Sequence, residues 1–247
     1  QNLNNPDNIE ILYPSSRELD LLDAEKVKSY LIKKEPELII NCAAKVGGIK
    51  ANSDYPAEFL YENSMIQLNI INSAFISGVK NLLFLGSSCI YPKEAEQPIK
   101  EEALLCKPLE ETNEGYAIAK IAGLKLCSYL FKEHKKDFIT IMPTNLYGPN
   151  DNFSEINSHV IPGLIRRMHN AKVNNEGVFN IWGTGKPLRE FLYSVDLAQF
   201  IEFIIDKDLK NQWENNFNYH AMKYFDTVPT ELKKLGYKSF QSGKWWE

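Results

Sequence analysis

The order of apolar runs along this chain constrains its fold more than any other feature. Three short, almost wholly apolar runs, at residues 37–44, 81–86 and 137–142, are separated by long stretches of helical pattern at 56–77 and 114–134. Continuous apolar runs of this length are typical of strands buried on both faces. Strands that alternate with long helices predict a parallel sheet covered by helices. We therefore expect an α/β fold with a Rossmann-like, doubly wound parallel sheet.

Four further segments predict elements around this sheet. Residues 9–12 are interpreted as a weaker early strand, and residues 24–34 as a helix. Residues 160–171 have the pattern of a basic amphipathic helix, and residues 179–182 that of a short strand.

Composition argues against several classes of partner. The 247 residues carry a formal net charge of −4, with acidic and basic side chains intermixed, which disfavours a nucleic-acid or membrane-surface binder. The most apolar late segment, residues 192–205, contains Asp196, Gln199 and Glu202, so we do not expect it to span a bilayer. The four cysteines show no Cys-x-x-Cys pairing or metal-ligand spacing. Reduced thiols, no metal site and a cytoplasmic location are therefore expected.

Tyr116 and Lys120 lie in the second long helical stretch, and Ser87 follows the apolar run that precedes it. Side chains four residues apart share one face of a helix, and a strand end can reach that face in an α/β fold. A phenol that donates a proton, an ammonium that tunes it and a hydroxyl that holds a carbonyl oxygen would make a ketone-reduction site. The alternative is a surface tyrosine, a solvated lysine and a strand-end serine.

The ammonium of Lys120 is expected to act on the phenol of Tyr116. At about 4 Å and an effective dielectric constant near 20, the Coulomb energy is roughly 4 kcal/mol. We therefore expect the pKa of Tyr116 to be lowered, by about three units at most.

Cys89 and His159 are two further groups that could move protons at neutral pH, because thiols and imidazoles titrate in that range. Cys89 lies two residues beyond Ser87, so in extended backbone both side chains would point the same way. The alternatives are that Cys89 is a small buried apolar residue and that His159 only begins a helix.

Six segments carry a resemblance to a known family. They are residues 43–49, 86–92, 116–123, 142–149, 157–162 and 182–191. In this order they resemble the extended short-chain dehydrogenase/reductases, and within them the enzymes that act on GDP-linked 4-keto-6-deoxy sugars. The resemblance covers about residues 10–205. It implies an NADP(H)-dependent 3,5-epimerase/4-reductase.

The resemblance also implies roles for individual residues. It assigns the ketone-reduction site to Ser87, Tyr116 and Lys120, and epimerisation at C3 and C5 to Cys89 and His159. The implied contacts with the cofactor are Arg17, Ala43, Ala44, Val46, Gly47, Gly48, Tyr116, Lys120 and His159. The implied contacts with the substrate are Ser88, Asn145, Arg167, Trp182 and Arg189.

Arg17 bears on the choice of cofactor. It follows the predicted early strand, where a cation would meet a 2′-phosphate, and no Asp or Glu ends that strand to hold a free 2′-hydroxyl. This favours NADPH over NADH.

Three alternatives to this function remain. One is a C4 reductase without epimerase activity, acting on a GDP-4-keto-6-deoxy-heptose or a similar pre-epimerised sugar. A nucleotide-sugar 4,6-dehydratase is less favoured, since Ser88 and Cys89 stand where that chemistry needs an acidic side chain. The third is a non-catalytic binder of nucleotide sugars or dinucleotides.

The chain is expected to divide into two parts. Residues 1–150 would form the NADP-binding domain, and residues 151–247 mainly a smaller substrate-binding lobe, with a return to the first domain near 190–206. No G-x-x-G-x-x-G turn occurs, so we expect the first strand, its Gly-rich turn and the following helix to lie outside this chain. By analogy with the family, the two long helices would pair two copies into a homodimer.

Overall fold

The fold is built on a parallel sheet, seen in a computed structural model that describes residues 9–154, 157–178 and 190–206. Three strands pair in the order β1-β2-β3, and both pairings are parallel. They are β1 (Leu38–Asn41), β2 (Asn81–Leu85) and β3 (Phe138–Ile141). The predicted α/β fold with a Rossmann-like parallel sheet is therefore confirmed.

Six α-helices lie within the described residues. They are α1 (Ala24–Lys34), α2 (Ile49–Asp54), α3 (Pro56–Ile76), α4 (Glu114–His134), α5 (Val160–Val173) and α6 (Ser194–Asp206). The predicted bounds of α1 and α4 are correct, and those of α3 and α5 differ by one and two residues at the C-terminal end. None of the described helices is long and apolar enough to cross a membrane.

The middle strand β2 is buried on both faces, which explains its continuous apolar run at residues 82–85. Leu82 and Phe84 point into one core, between the sheet and helices α1, α3 and α4. Leu83 points the opposite way, into a second core that includes Leu197 and Ile201 of α6. Because successive side chains of a strand alternate between faces, burial on both faces requires every residue to be apolar.

Two predictions about strands differ from the structure. Residues 9–12 form no strand, and Ile9 and Ile11 are exposed, because among the described residues this segment has no neighbouring strand to bond. The short strands β4 (Asn145–Tyr147) and β5 (Phe191–Tyr193), which pair in parallel, were not predicted. Three residues are too few to show a strand pattern. The strand expected at 179–182 lies outside the described residues.

Gly123 sets how closely α4 approaches the sheet. A Cβ atom there would lie 2.8 Å from two ring carbons of Phe84, which is fully buried. Glycine in a helix costs about 1 kcal/mol relative to alanine, so the close contact has to offset that cost.

We expect Gly123→Ala to lower the free energy of unfolding by roughly 1–3 kcal/mol, because the extra methyl overpacks the helix against β2. Urea unfolding monitored by circular dichroism measures the change. Gly177→Ala is the matched control, since a Cβ there meets nothing within 4 Å. Equal midpoints for the two variants would contradict the packing argument.

Candidate active site

The carboxyl end of β2 carries Ser87 into the centre of the candidate site. Pairing with β3 continues beyond the strand, since Gly86 N donates to Ile141 O at 2.8 Å and Ser88 N to Pro143 O at 3.2 Å. Ser87 is therefore extended, with φ −161° and ψ 147°. The chain then turns sharply in a 3-10 turn, Ser88–Ile90. The expectation that residues 87–89 continue as extended backbone is wrong, because this turn begins directly after Ser87.

Cys89 is buried within that turn, and its backbone N–H donates to Ser87 Oγ at 3.4 Å. The hydroxyl hydrogen of Ser87 is not used in this bond and remains able to donate. The thiol is close enough to Tyr116 and Lys120 that a negative charge on it would raise the pKa of both.

Lys120 is the buried cation of the site, with 3% of its surface exposed. Its Nζ donates to Leu85 O at 2.7 Å and lies 4.8 Å from the centroid of the Phe84 ring. Nζ is also 5.6 Å from the centroid of the Tyr116 ring. Burial lowers the pKa of Lys120 to about 8, and the neighbouring thiols of Cys89 and Cys42 only partly oppose this.

The pKa of Tyr116 differs from the value that its spacing from Lys120 predicts. Its pKa is raised well above the ordinary value, first by burial and second by the thiol of Cys89. The expected lowering of this pKa is wrong, because desolvation of the phenol disfavours the phenolate and the Cys89 thiol acts in the same direction. Tyr116 is therefore protonated at neutral pH, which is the state of a proton donor.

Cys42 was missed by sequence reasoning. It directly follows β1, and charge–charge interaction couples its thiol to Lys120. Although the residue is partly open to solvent, its surroundings desolvate the thiol and raise its pKa. Its place directly after an apolar strand, next to the strand that precedes Ser87, could have indicated a role in the site.

The loop 43–48 begins at the carboxyl end of β1 and is held by Asn63 of α3. Asn63 is buried, and its Oδ1 accepts from Lys45 N at 2.8 Å. Its Nδ2 donates to Lys45 O at 3.0 Å and to Phe59 O at 2.8 Å. The side-chain amide of Asn63 thus binds both backbone groups of Lys45 and fixes the middle of the loop.

Two ion pairs reinforce this anchor from the solvent side. Lys45 Nζ lies 2.6 Å from Glu58 Oε2 and 2.7 Å from Glu62 Oε1. Both pairs are at least partly exposed to solvent, so their contribution is small compared with that of the buried amide. Of the predicted cofactor contacts in the loop, Ala43, Ala44, Gly47 and Gly48 are partly buried, whereas Val46 is 60% exposed.

His159 begins α5 and is exposed. The carbonyl oxygen of the preceding Ser158 lies against Gly48, so this helix start meets the loop 43–48. Arg167, on the same helix, donates from Nε to Gly163 O at 3.3 Å.

The remaining predicted contacts lie on separate segments of the chain. Arg17 is exposed in a turn in which Ser15 N and Oγ each donate to Glu18 Oε2 at 2.8 Å. Asn145 is exposed in β4, and its Nδ2 donates to Glu190 O at 2.9 Å. Ser88 lies in the turn after β2, whereas Trp182 and Arg189 lie outside the described residues. The described residues hold no group of three or more His, Cys, Asp or Glu side chains that could bind a metal ion.

Comparison with known proteins gives a consistent group of relatives. The model of the "NAD dependent epimerase/dehydratase family" matches residues 1–218. A GDP-L-fucose synthase of Sinorhizobium fredii is 53% identical over 196 residues, which are 79% of this chain and 62% of the relative. A GDP-L-colitose synthase of Yersinia pseudotuberculosis is 41% identical over 234 residues, 93% of this chain and 75% of the relative.

A solved structure agrees with these matches. MlghC, a GDP-mannoheptose C4 reductase from Campylobacter jejuni with NADP bound, superposes with a TM-score of 0.72 at 34% identity. The match covers 80% of this chain and 68% of that one. The family resemblance inferred from the six motif segments is thereby confirmed. The chain spans less than two thirds of the S. fredii GDP-L-fucose synthase.

Lys120 should titrate near pH 8, because its burial disfavours the charged form. Proton titration of labelled lysine side chains by NMR should show one ammonium that is charged below pH 8 and neutral above it. Lys120→Met should remove this signal. Between about pH 8 and about pH 10.4 the unfolded chain binds more protons at Lys120 than the folded chain does, so the free energy of unfolding rises with pH. Lys120→Met should remove this rise. A Lys120 pKa above 10 would contradict the described burial.

Proposed function

Because this chain belongs to the NAD dependent epimerase/dehydratase family, we propose that it acts as an NADP(H)-dependent reductase of a GDP-linked 4-keto-6-deoxy sugar. The observation that carries the proposal is the buried Lys120 at the end of β2, beside Tyr116 and Cys89. The names of the relatives, GDP-L-fucose, GDP-L-colitose and GDP-mannoheptose enzymes, support a GDP-sugar as the substrate.

The site residues divide the work of ketone reduction. Bound NADPH would supply the hydride. Ser87 donates its free hydroxyl hydrogen to the carbonyl oxygen and stabilises the charge that develops there. Tyr116, which its raised pKa keeps protonated, transfers its proton to that oxygen. The charge of Lys120 stabilises the phenolate that results.

The residues around the loop 43–48 fit an NADP molecule. Val46 exposes an apolar side chain beside the small residues Ala43, Ala44, Gly47 and Gly48, a surface that an adenosine could cover closely. The exposed guanidinium of Arg17 would donate hydrogen bonds to the 2′-phosphate. Lys120, Tyr116 and His159 complete the proposed cofactor contacts, at the nicotinamide end.

The proposed substrate contacts supply polar groups around the GDP-sugar. Ser88 and Asn145 would bind its sugar and phosphate groups from the strand ends. The guanidinium of Arg167 suits a diphosphate, since it can bind phosphate oxygens bidentately. Trp182 and Arg189 are proposed for the same ligand from the sequence alone.

We further propose that the site epimerises C3 and C5 before reduction, giving GDP-L-fucose or a close GDP-sugar. A C4 ketone acidifies the protons at both carbons, and their inversion needs a base on one face and an acid on the other. Cys89 and His159 are proposed for these roles. The electrostatic coupling of Cys89 to the Lys120 ammonium supports this, because that cation favours a thiolate.

Reduction without epimerisation is the second candidate function. It is favoured by the likeness to a GDP-mannoheptose C4 reductase, which points to a GDP-4-keto-6-deoxy-heptose or a similar pre-epimerised sugar.

A second copy of the chain is the proposed protein partner. Leu60 and Tyr61 of α3 and Ile118 of α4 expose apolar side chains on the two helices that pack together. We also propose a cytoplasmic location, since the four cysteines, all within the described residues, form no disulfide bond and a reducing compartment keeps thiols reduced.

We expect Tyr116→Phe to lower kcat for NADPH oxidation with a 4-keto GDP-sugar by about 10²–10⁴-fold, because the proton donor is lost. NADPH binding, measured by fluorescence in the full-length protein, should be retained. Tyr129→Phe, on the exposed face of the same helix, is the control and should keep wild-type activity. A wild-type rate no higher than that of Tyr116→Phe would favour a non-catalytic binder.

Epimerisation should place solvent deuterium at C3 and C5 of the product when the reaction is run in D₂O. Cys89→Ser and His159→Gln should each slow incorporation by about 10²–10⁴-fold, because each removes a group that transfers protons. NMR of the product measures deuterium at each carbon. Wild-type product with deuterium at neither carbon would leave only the C4 reductase.

A further inference from the structure

Gly48 lies very close to the backbone of Ser158, and this contact leaves no room for a side chain at position 48. A Cβ atom on Gly48 would lie 2.8 Å from the carbonyl oxygen of Ser158, closer than real Cβ contacts allow. The backbone of Gly48 has φ −67° and ψ 178°, an extended conformation that any residue adopts. The approach of Ser158 is therefore the reason that this position is glycine.

The role of Gly48 as the N-cap of α2 does not explain the glycine either. The first amides of α2 receive no side-chain hydrogen bond from this position. Ser, Asp or Asn would cap the helix at least as well, because their side-chain oxygens can accept such a bond. Both atoms of the close contact belong to backbone, so rotation of a side chain cannot relieve it.

Asn52 prevents Gly48 from moving away from Ser158. Asn52 is buried in α2, and its Nδ2 donates to Gly47 O at 2.9 Å and to Gly48 O at 3.1 Å. Gly47 is itself packed, since a Cβ there would lie 3.1 Å from the ring of Phe59. The two glycines are therefore held against α2 and α3, and Ser158 contacts this held segment of the loop.

Ser158 is followed directly by His159, whose carbonyl accepts from Gly163 N at 3.0 Å in the first turn of α5. The His159 backbone is thus set on one side by the contact of Ser158 with Gly48 and on the other by the helix. We propose that Gly48, held by Asn52, is a positioning residue for His159. This role differs from the cofactor contact already proposed for Gly48, and it rests on the proposed function of His159 in epimerisation.

A methyl group at position 48 would force the peptide before His159 outward by about half an ångström, the difference between 2.8 Å and ordinary contact. Displacements on the order of 1 Å can cost about 10²-fold in rate. We expect Gly48→Ala to slow deuterium incorporation at C3 and C5 by at least about tenfold.

The experiment compares Gly48→Ala with Gly177→Ala in the full-length protein, because a Cβ at Gly177 meets nothing. The first readout needs no turnover: NMR chemical shifts of the histidine side chains in the ligand-free protein, with His159 assigned from His159→Gln. The second is deuterium incorporation at C3 and C5. Gly48→Ala should move the His159 resonance and slow deuterium incorporation at C3 and C5, whereas Gly177→Ala should change neither.

Asn52→Ala is the second variant if Gly48→Ala does not fold, and it should move the same resonance because Gly48 loses its support. A folded variant with an unmoved His159 resonance and wild-type incorporation overturns the proposal. A folded variant that loses only NADPH affinity also overturns it, since Gly48 then serves the cofactor alone. Wild-type enzyme without any turnover would refute the proposed function instead, and the NMR comparison would still decide whether Gly48 positions His159.

Discussion

The hydrogen bond from Lys120 to the Leu85 carbonyl is the interaction on which the site depends. A buried ammonium is costly unless a partner compensates for lost water, and the free carbonyl at the end of β2 supplies that partner. The bond requires α4 to lie directly against β2, and Gly123 permits this one turn further along the helix. The same contact that packs the core therefore delivers Tyr116 and Lys120 to the strand end that carries Ser87 and Cys89.

Periodicity predicted most of the fold because the long elements are built from continuous patterns. The bounds of α1 and α4 follow from the sequence, and the three strands of the main sheet are shorter than the apolar runs that predicted them. The order of motifs likewise predicted which strand end faces which helix. What could not be predicted depends on contacts between distant segments, such as the anchoring of Lys45 by Asn63 or the approach of Ser158 to Gly48.

The protonation of the site was mispredicted for a related reason. Spacing gives the distance between two charges along a helix, but it does not give the amount of protein around them. In the folded chain burial dominates, so the pKa of Tyr116 rises and that of Lys120 falls. Both shifts suit a donor that holds its proton until charge develops on the ketone oxygen. Lys120 then acts on the phenolate rather than on the resting phenol.

The anchoring of the loop 43–48 has a consequence for its behaviour in concentrated electrolyte. Its exposed ion pairs, from Lys45 to Glu58 and Glu62, weaken as dissolved ions screen them. The side-chain amide of Asn63 is buried and uncharged, so dissolved ions do not weaken its three hydrogen bonds. The conformation of this loop should therefore change little with the ionic strength of the medium.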